Sequence, residues 1–325
     1  MELTKDIIPL PYSDCLLTES NLRGVSPVVY ADGGALRNSL KKIDKNNKRL
    51  KGSNPVLTSR REAFERVRSF WAEKRGVWCA IDFEAWERDH TVITEFGWRL
   101  VGWTDDKKEV QEAGHLIVDE HQKFRNSQYV PEHRYVSSSY FSEQISLIVL
   151  KDYGFGESEI VKKVAFKSRV CDFITQLGKY GAVFLVFHDN NQDIKYLRSD
   201  SINATLEGLS YVLPDTMPDG GMFVVDTSDL FAALEGATTA DRRGLGRMCN
   251  LIQIPTKNMH NAGNDAYYTL EAMISMAGGD PVDIQREKRW PNQTGQGVKV
   301  DFKPHEENSD LSDEEGVAPG PINGW

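Results

Sequence analysis

Residues 77–87, with the sequence VWCAIDFEAWE, combine an apolar stretch with two carboxylates at its end and are the strongest indication of the fold of this chain. Its apolar, aromatic and β-branched residues predict a buried strand over residues 77–84. Residues two apart in a strand point to the same face, so Asp82 and Glu84 present two carboxylates side by side. Like charges at that distance need a counter-ion. The alternative interpretation is a pair of solvated acids at a strand end.

The elements around this strand indicate a mixed α/β fold. A helix is predicted before it, over residues 61–76, and two strands after it form a hairpin, over residues 94–103 and 112–119. The later predicted elements are helix 160–181, strand 182–187, helix 188–200, strand 222–227 and helices 228–236, 241–252 and 261–277. Three antiparallel strands followed by crossover strands, flanked by helices, are typical of a ribonuclease H-like sheet.

Charge divides the chain into three parts. The net charge of the 325 residues is −9, but residues 37–75 hold 13 bases and 4 acids, whereas residues 300–325 hold 7 acids and one base. We therefore expect a basic, partly flexible arm over residues 1–60, the main domain over 61–279 and an acidic, disordered tail over 280–325. Residues 120–160 are polar with weak periodicity, which predicts a functional insertion.

Composition also limits the class of protein. Four widely spaced cysteines without a CxxC pair favour reduced thiols over disulfides or structural zinc. The chain has no long apolar run and no signal-peptide pattern at its N-terminus, so we expect a cytoplasmic or nuclear protein without membrane contact. The basic segment 41–51 could bind phosphates, act as an import signal or be a solvated segment.

Two further motifs supply acids and a histidine. Asp193 follows the buried strand 182–187 by one short turn, and Asp265 lies in the first turns of the last helix with His260 just before it. Taken singly, each acid could cap a helix or lie at the surface, and His260 could be a loop or cap histidine. In this order along an α/β chain, all three can face Asp82 and Glu84.

Chance counts show that spacing alone does not single out these residues. With 25 Asp, 23 Glu and 7 His, about 1.8 Asp-x-Glu triplets and about 0.5 cases of His followed five residues later by Asp are expected at random. Two triplets and three His-to-Asp spacings occur. The triplet at 313–315 and the pair His305 and Asp310 lie in the acidic tail without an adjoining strand or amphipathic helix, so we discard both.

The remaining ordered set resembles the DEDDh-type 3′-to-5′ exonucleases of the ribonuclease H-like superfamily, over about residues 76–276. Asp82 and Glu84 match the first motif, Asp193 the second, and His260 with Asp265 the third. The segments HLIVDEHQKFRN, FGES and HNAGNDA are further similar to a fungal branch of this class, related to a yeast factor that is named for supporting the full activity of a DEAD-box helicase. The resemblance implies hydrolysis of phosphodiester bonds in RNA or DNA.

The resemblance also implies a mechanism with two Mg²⁺ or Mn²⁺ ions, about 4 Å apart, at the scissile phosphate. By analogy with similar enzymes, Asp82 would bridge both ions. Glu84 and Asp265 would complete the site on the side of the attacking water, and Asp193 would orient the second ion through water. His260, with an ordinary imidazole pKa of about 6.5, would take the proton of the attacking water.

Substrate contacts are expected from three more residues. Trp86 could stack on the terminal base, or it could be a core tryptophan. His188 could contact substrate, although a structural hydrogen bond suits its position better. Asp189 stands where similar exonucleases often carry an asparagine that contacts the substrate, which puts substrate preference in doubt.

The expected partner is nucleic acid with a single-stranded 3′ end, together with RNA-processing or export factors. The alternative hypothesis is that the protein is not an enzyme. It would then be a nucleic-acid or helicase-interaction module in mRNA metabolism or export that retains the exonuclease fold. The five intact site residues favour the enzyme, because an uncompensated acidic cluster repels phosphate.

Overall fold

A computed structural model describes residues 31–51, 55–104, 106–124, 126, 153–238, 242–294 and 299–302. Its centre is a seven-stranded sheet with the order β4-β3-β2-β1-β5-β7-β6. The strands are β1 (Val77–Trp86), β2 (Asp89–Trp103), β3 (Glu109–Val118), β4 (Ser158–Val161), β5 (Val183–Phe187), β6 (Leu209–Ser210) and β7 (Met222–Asp226). The helices are α1 (Gly33–Lys51), α2 (Pro55–Ala72), α3 (Lys163–Leu177), α4 (Asn191–Arg198), α5 (Thr227–Glu235), α6 (Leu245–Leu251), α7 (Ala262–Ala277) and α8 (Val282–Arg289).

The pairing of the strands confirms the predicted mixed sheet. β1, β2 and β3 form an antiparallel meander, whereas β5 lies parallel to β1 and β7 lies parallel to β5. This is the ribonuclease H-like arrangement. Because β1, β5 and β7 run in the same direction, their carboxyl ends meet at one edge of the sheet, where α/β proteins place their functional groups.

Both faces of β1 are covered, which explains its nearly continuous apolar sequence. Cys79, Ile81 and Phe83 belong to a hydrophobic layer with α3 and α4. Trp78 and Ala80 belong to the opposite layer, with α2, α5, α6 and α7. The residues two and four positions beyond Ala80 are Asp82 and Glu84, so the alternation of the strand directs both carboxylates to the side of α7.

The edges of the sheet were not predicted correctly. β4 and β6, with four residues and two residues, were absent from the predicted order because segments that short carry no readable periodicity. β4 occupies residues that the sequence pattern assigned partly to the insertion and partly to helix 160–181. Within the predicted insertion, residues 125 and 127–152 lie outside the described residues.

The predicted domain boundaries also differ from the structure. α2 begins at Pro55, within the predicted arm. The prediction of a disordered tail from residue 280 is wrong up to residue 302 for the residues that the structure describes, because α8 packs on the domain and Trp290 and Val300 are buried. The buried Arg286 is satisfied there by the main-chain carbonyls of Leu234 and Ala233 and by Asp283. No helix in the described part of the chain has the length and apolar character needed to span a membrane.

Candidate active site

Asp82 and Glu84, the carboxylates of the first motif, lie where β2 and α7 come into close contact with β1. Asp82 is paired across the antiparallel ladder with Gly97 of β2. A Cβ atom at Gly97 would collide with the carbonyl group of Ala262, the first residue of α7. Only glycine permits this approach. It brings the first turn of α7, which carries Asp265, against the end of β1.

Asp193 reaches the same place from the other side of the sheet. It lies in the first turn of α4 and is buried. Its Oδ1 atom accepts a hydrogen bond of 3.1 Å from the main-chain N–H of Phe83, the residue between Asp82 and Glu84. The second predicted motif is therefore attached directly to the first.

The loop that carries His260 has a backbone that needs support. Asn258 and His260 have φ angles of 56° and 61°, in the left-handed region that non-glycine residues rarely adopt. The Nδ2 group of Asn264 donates to the carbonyl of Asn258 (2.7 Å), and the N–H of His260 donates to Oδ2 of Asp265 (2.9 Å). Asn261 caps α7 by accepting from the N–H of Asn264 (3.1 Å). Side chains of α7 thus hold the loop in its strained form.

The three motifs converge. One ligand atom from each of Glu84, His260 and Asp265 lies within 4.8 Å of the other two, a spacing that could hold a metal ion. Asp82 interacts electrostatically with Glu84, Asp193 and Asp265. We call these five residues the acidic cluster. Its carboxylate oxygens are the ligands that a divalent cation such as Mg²⁺ or Mn²⁺ prefers.

The electrostatics of the acidic cluster favour a bound cation. Withdrawal from water raises the pKa of Asp82 well above its ordinary value, and the neighbouring Asp193, Asp265 and Glu84 raise it further. Burial also raises the pKa of Asp193 to about 8, against the lowering effect of the hydrogen bond from Phe83. Carboxylates that resist ionisation at neutral pH become fully ionised beside a divalent cation. The residues present therefore fit a metal site.

His188 and Asp189 form structural contacts at the end of β5. The ring nitrogens of His188 lie 2.9 Å from Oγ1 of Thr227 and 2.8 Å from the carbonyl oxygen of Arg243, which favours its structural role. Asp189, with a φ of 61°, accepts a 2.7 Å hydrogen bond from the guanidinium of Arg242. The ion pair compensates the negative charge that distinguishes this position from asparagine. Substrate contact by either residue stays a prediction.

Trp86 ends β1 beside an aromatic neighbour. Its ring and that of Phe124 lie with centroids 4.8 Å apart and planes at 44°. The N–H of the following residue, Glu87, is held by Asn126 (2.8 Å), whose side chain also donates to the carbonyl of Ala85. Trp86 is half-buried, so base stacking at the strand end stays a prediction.

Sequence reasoning missed Glu95, which supports the acidic cluster from β2. Glu95 is paired with Glu84 across the ladder and is only 2% exposed. Its Oε2 atom lies 3.1 Å from a ring nitrogen of His115 and accepts a 3.3 Å hydrogen bond from the N–H of Ala262. A carboxylate inside the apolar strand sequence TEFGWRLVGW was the signal, because such a group is buried only with partners.

The fold and the acidic cluster are typical of exonuclease-like domains of the DEDDh class. The family model described as "DEDDh_C: DNA polymerase III subunit epsilon-like, C-terminal domain" matches residues 77–276. The chain belongs to this family.

The chain is also similar to fungal proteins. It is 25% identical over 215 residues to "Good for full DBP5 activity protein 2" of Saccharomyces cerevisiae, covering 62% of this chain and 36% of that protein. It is 28% identical over 204 residues to an uncharacterized nucleolar protein of Schizosaccharomyces pombe, covering 60% of this chain and 67% of that protein. The chain thus spans little more than a third of the S. cerevisiae relative. The resemblance to a fungal branch is confirmed.

Among solved structures, a product-bound exonuclease I aligns over 66% of this chain and 45% of its own, with a TM-score of 0.35 and 12% identity. E. coli exonuclease I in complex with a dT13 oligonucleotide aligns over 66% of this chain and 42% of its own, with a TM-score of 0.34 and 13% identity. Similarity at this level carries no information about individual site residues.

Proposed function

We propose that this protein is a metal-dependent 3′-to-5′ exonuclease that hydrolyses phosphodiester bonds of RNA or DNA. The observation that supports the proposal most strongly is the convergence of Glu84, His260 and Asp265 within 4.8 Å, beside Asp82 and Asp193. Four carboxylates and a histidine from three separate motifs have no evident structural use together, since their mutual repulsion destabilises the metal-free protein.

Asp82, Glu84, Asp193 and Asp265 would hold two ions of Mg²⁺ or Mn²⁺. Bound there, the ions would activate water and stabilise the negative charge of the leaving oxygen. Among the cation ligands, Asp193 is fixed by the N–H of Phe83 and Asp265 by the N–H of His260. These hydrogen bonds hold the carboxylates in place before substrate binds, which reduces reorganisation during the reaction.

His260 is the proposed general base. Its main chain is fixed by Asp265 in a left-handed conformation, which keeps the imidazole beside Glu84. A neutral imidazole there can accept the proton of the attacking water near neutral pH. Neighbouring carboxylates favour the resulting imidazolium ion electrostatically.

Names of relatives suggest a biological setting. The S. cerevisiae relative is named for DBP5 activity, and the S. pombe relative is described as nucleolar. We propose nucleic acid with a single-stranded 3′ end as the substrate, RNA-processing or export factors as partners, and a nuclear or cytoplasmic location. The first name also motivates the second candidate function, a non-catalytic helicase-interaction module.

Incubation of 5′-end-labelled oligonucleotides with the protein and Mg²⁺ or Mn²⁺ tests the proposal. Ribo- and deoxyribo-oligonucleotides of one sequence are compared for the wild type, Asp82→Ala and the control Asp106→Ala. Asp106 is exposed in the β2–β3 hairpin, at the opposite end of β1 from Asp82. Stepwise shortening by the wild type and the control only is the expected result. Equal shortening by Asp82→Ala contradicts the site, and tight binding without a metal-dependent product favours the module.

A further inference from the structure

α1 carries a concentration of positive charge that the acidic cluster does not explain. Its 19 residues contain seven bases and a single acid. Four of the bases, Arg37, Lys41, Lys42 and Lys45, have exposed side chains that the structure describes. The spacing of Arg37, Lys41 and Lys45 is four residues, which aligns them along one side of the helix. Lys42 lies beside this row.

The neighbouring α2 is also rich in arginine, but its charge is neutralised within the domain. The arginines of α2 form the ion pairs Arg60–Asp229, Arg61–Asp283, Arg66–Asp215 and Arg68–Glu65. Arg75, three residues after α2, pairs with Asp219. By contrast, none of the four exposed bases of α1 forms an ion pair with a side chain that the structure describes. The excess positive charge of the N-terminal region therefore lies on α1.

The fold brings the C-terminal end of α1 to the edge of the sheet that holds the acidic cluster. α2 ends at Ala72, shortly before β1 begins, so its first turns lie towards the carboxyl end of β1. Arg60 of α2 pairs there with Asp229, in the first turn of α5. Arg242 joins Asp229 to Asp189 at the end of β5. α1 contacts α2 and precedes it by only three residues, so the C-terminal end of α1 meets the first turn of α2 at this edge.

We propose that the exposed basic face of α1 binds the phosphate backbone of the same nucleic-acid strand whose 3′ end enters the acidic cluster. The inference rests on the proposed function, because it takes nucleic acid as the substrate. A chain with a net charge of −9 and several carboxylates at its site repels a polyanion. Lysine and arginine on an adjacent helix offset this repulsion, without reading sequence, by releasing counterions from the strand.

Removal of the four charges tests the inference. The variant Arg37→Gln, Lys41→Gln, Lys42→Gln, Lys45→Gln keeps good helix formers at every position. The matched control replaces four exposed lysines at the opposite end of the sheet, Lys74, Lys107, Lys108 and Lys179, by glutamine. Binding of a long fluorescent single-stranded oligonucleotide is titrated at several salt concentrations. Hydrolysis of a dinucleotide, whose single phosphodiester is the one to be cleaved, is measured in parallel.

If each of the four replaced side chains contacts one phosphate, the slope of log affinity against log salt concentration should become shallower by about 2 to 3 in the α1 variant. We also expect affinity at low salt to fall at least about tenfold, with dinucleotide hydrolysis and the control unchanged. An unchanged slope and affinity in the α1 variant, or an equal loss in the control, overturns the inference. If the wild type binds the strand through α1 but hydrolyses neither substrate, the inference holds and the proposed function fails.

Discussion

Replacing Asp193 by asparagine is expected to stabilise the metal-free protein while it abolishes most turnover. Asparagine has the shape of aspartate and can still accept the hydrogen bond from the N–H of Phe83. What it removes is a buried carboxylate that ionises with difficulty. The same carboxylate is a proposed cation ligand, so stability and activity should change in opposite directions.

The magnitude follows from the pKa of Asp193, which burial raises from 3.8 to about 8. Between these two values the folded protein binds more protons than the unfolded chain, so its stability falls as the pH rises. A pH of 7 lies about 3.2 units above the ordinary pKa of 3.8, and each unit corresponds to about 1.36 kcal/mol. The buried carboxyl of Asp193 therefore lowers the free energy of unfolding at pH 7 by about 4 kcal/mol. Water penetration and relaxation reduce this cost, so we expect Asp193→Asn to gain about 2 to 4 kcal/mol.

Urea unfolding in the presence of a chelator, at pH 5 and at pH 8, measures the effect. The free energy of unfolding of the wild type should fall more between these pH values than that of Asp193→Asn. Asp172→Asn, an exposed position on α3, serves as the control and should behave as the wild type. Added Mn²⁺ should stabilise the wild type more than Asp193→Asn, because it binds the folded state through this carboxylate. A less stable Asp193→Asn variant at pH 8 without metal would refute the reasoning.

Three other substitutions have separate expected outcomes. His260→Ala should lower kcat by about 10²- to 10⁴-fold while oligonucleotide and Mn²⁺ affinities stay close to those of the wild type; equal turnover would remove the proposed base. Gly97→Ala should cost at least about 2 kcal/mol in thermal unfolding, because the new methyl group meets the carbonyl of Ala262, and an unchanged Tm would contradict that contact. Asn264→Ala releases the carbonyl of Asn258 and should cost about 1 to 2 kcal/mol. It should lower kcat more than it changes KM; a change confined to KM would argue against positioning of His260 by this side chain.

Much of the fold could be predicted from local patterns. The apolar run that ends at Asp82 and Glu84, and the buried strand before Asp193, are continuous β-rich segments because both of their faces are covered. Their pairing order then follows from the alternation of strands and helices. By contrast, β4 and β6 pair through main-chain groups over four residues and two residues, which leaves no readable mark in the side-chain pattern.

The candidate site could likewise be predicted only in part from the sequence. Asp82, Glu84, Asp193, His260 and Asp265 were identified because each belongs to a local motif. Glu95 has no such motif, and its importance comes from a contact with Ala262, 167 positions away in the chain. The support of the His260 loop by Asn264 depends on two left-handed residues, and a backbone angle cannot be read from residue types alone.

The order of α8 was missed for a related reason. Residues 282–289 are rich in charge, and composition alone therefore indicated disorder. Arg286 is nevertheless buried, because carbonyl groups at the end of α5 and the carboxylate of Asp283 accept its hydrogen bonds. Such partners are known only once the tertiary structure is known.

The chemical identity of the released product distinguishes 3′-to-5′ exonuclease activity from other kinds of nucleic-acid cleavage. The wild-type protein is incubated with Mn²⁺ and a single-stranded oligonucleotide that carries a label in its 3′-terminal nucleotide, and the products are separated by chromatography. A 3′-to-5′ exonuclease with the proposed two-ion chemistry leaves the phosphate on the released nucleotide, because the leaving group is the 3′ oxygen of its neighbour. We expect labelled nucleoside 5′-monophosphate as the first product, and none with chelator or with Asp82→Ala. Internal fragments, or the same monophosphate from Asp82→Ala, would contradict the account.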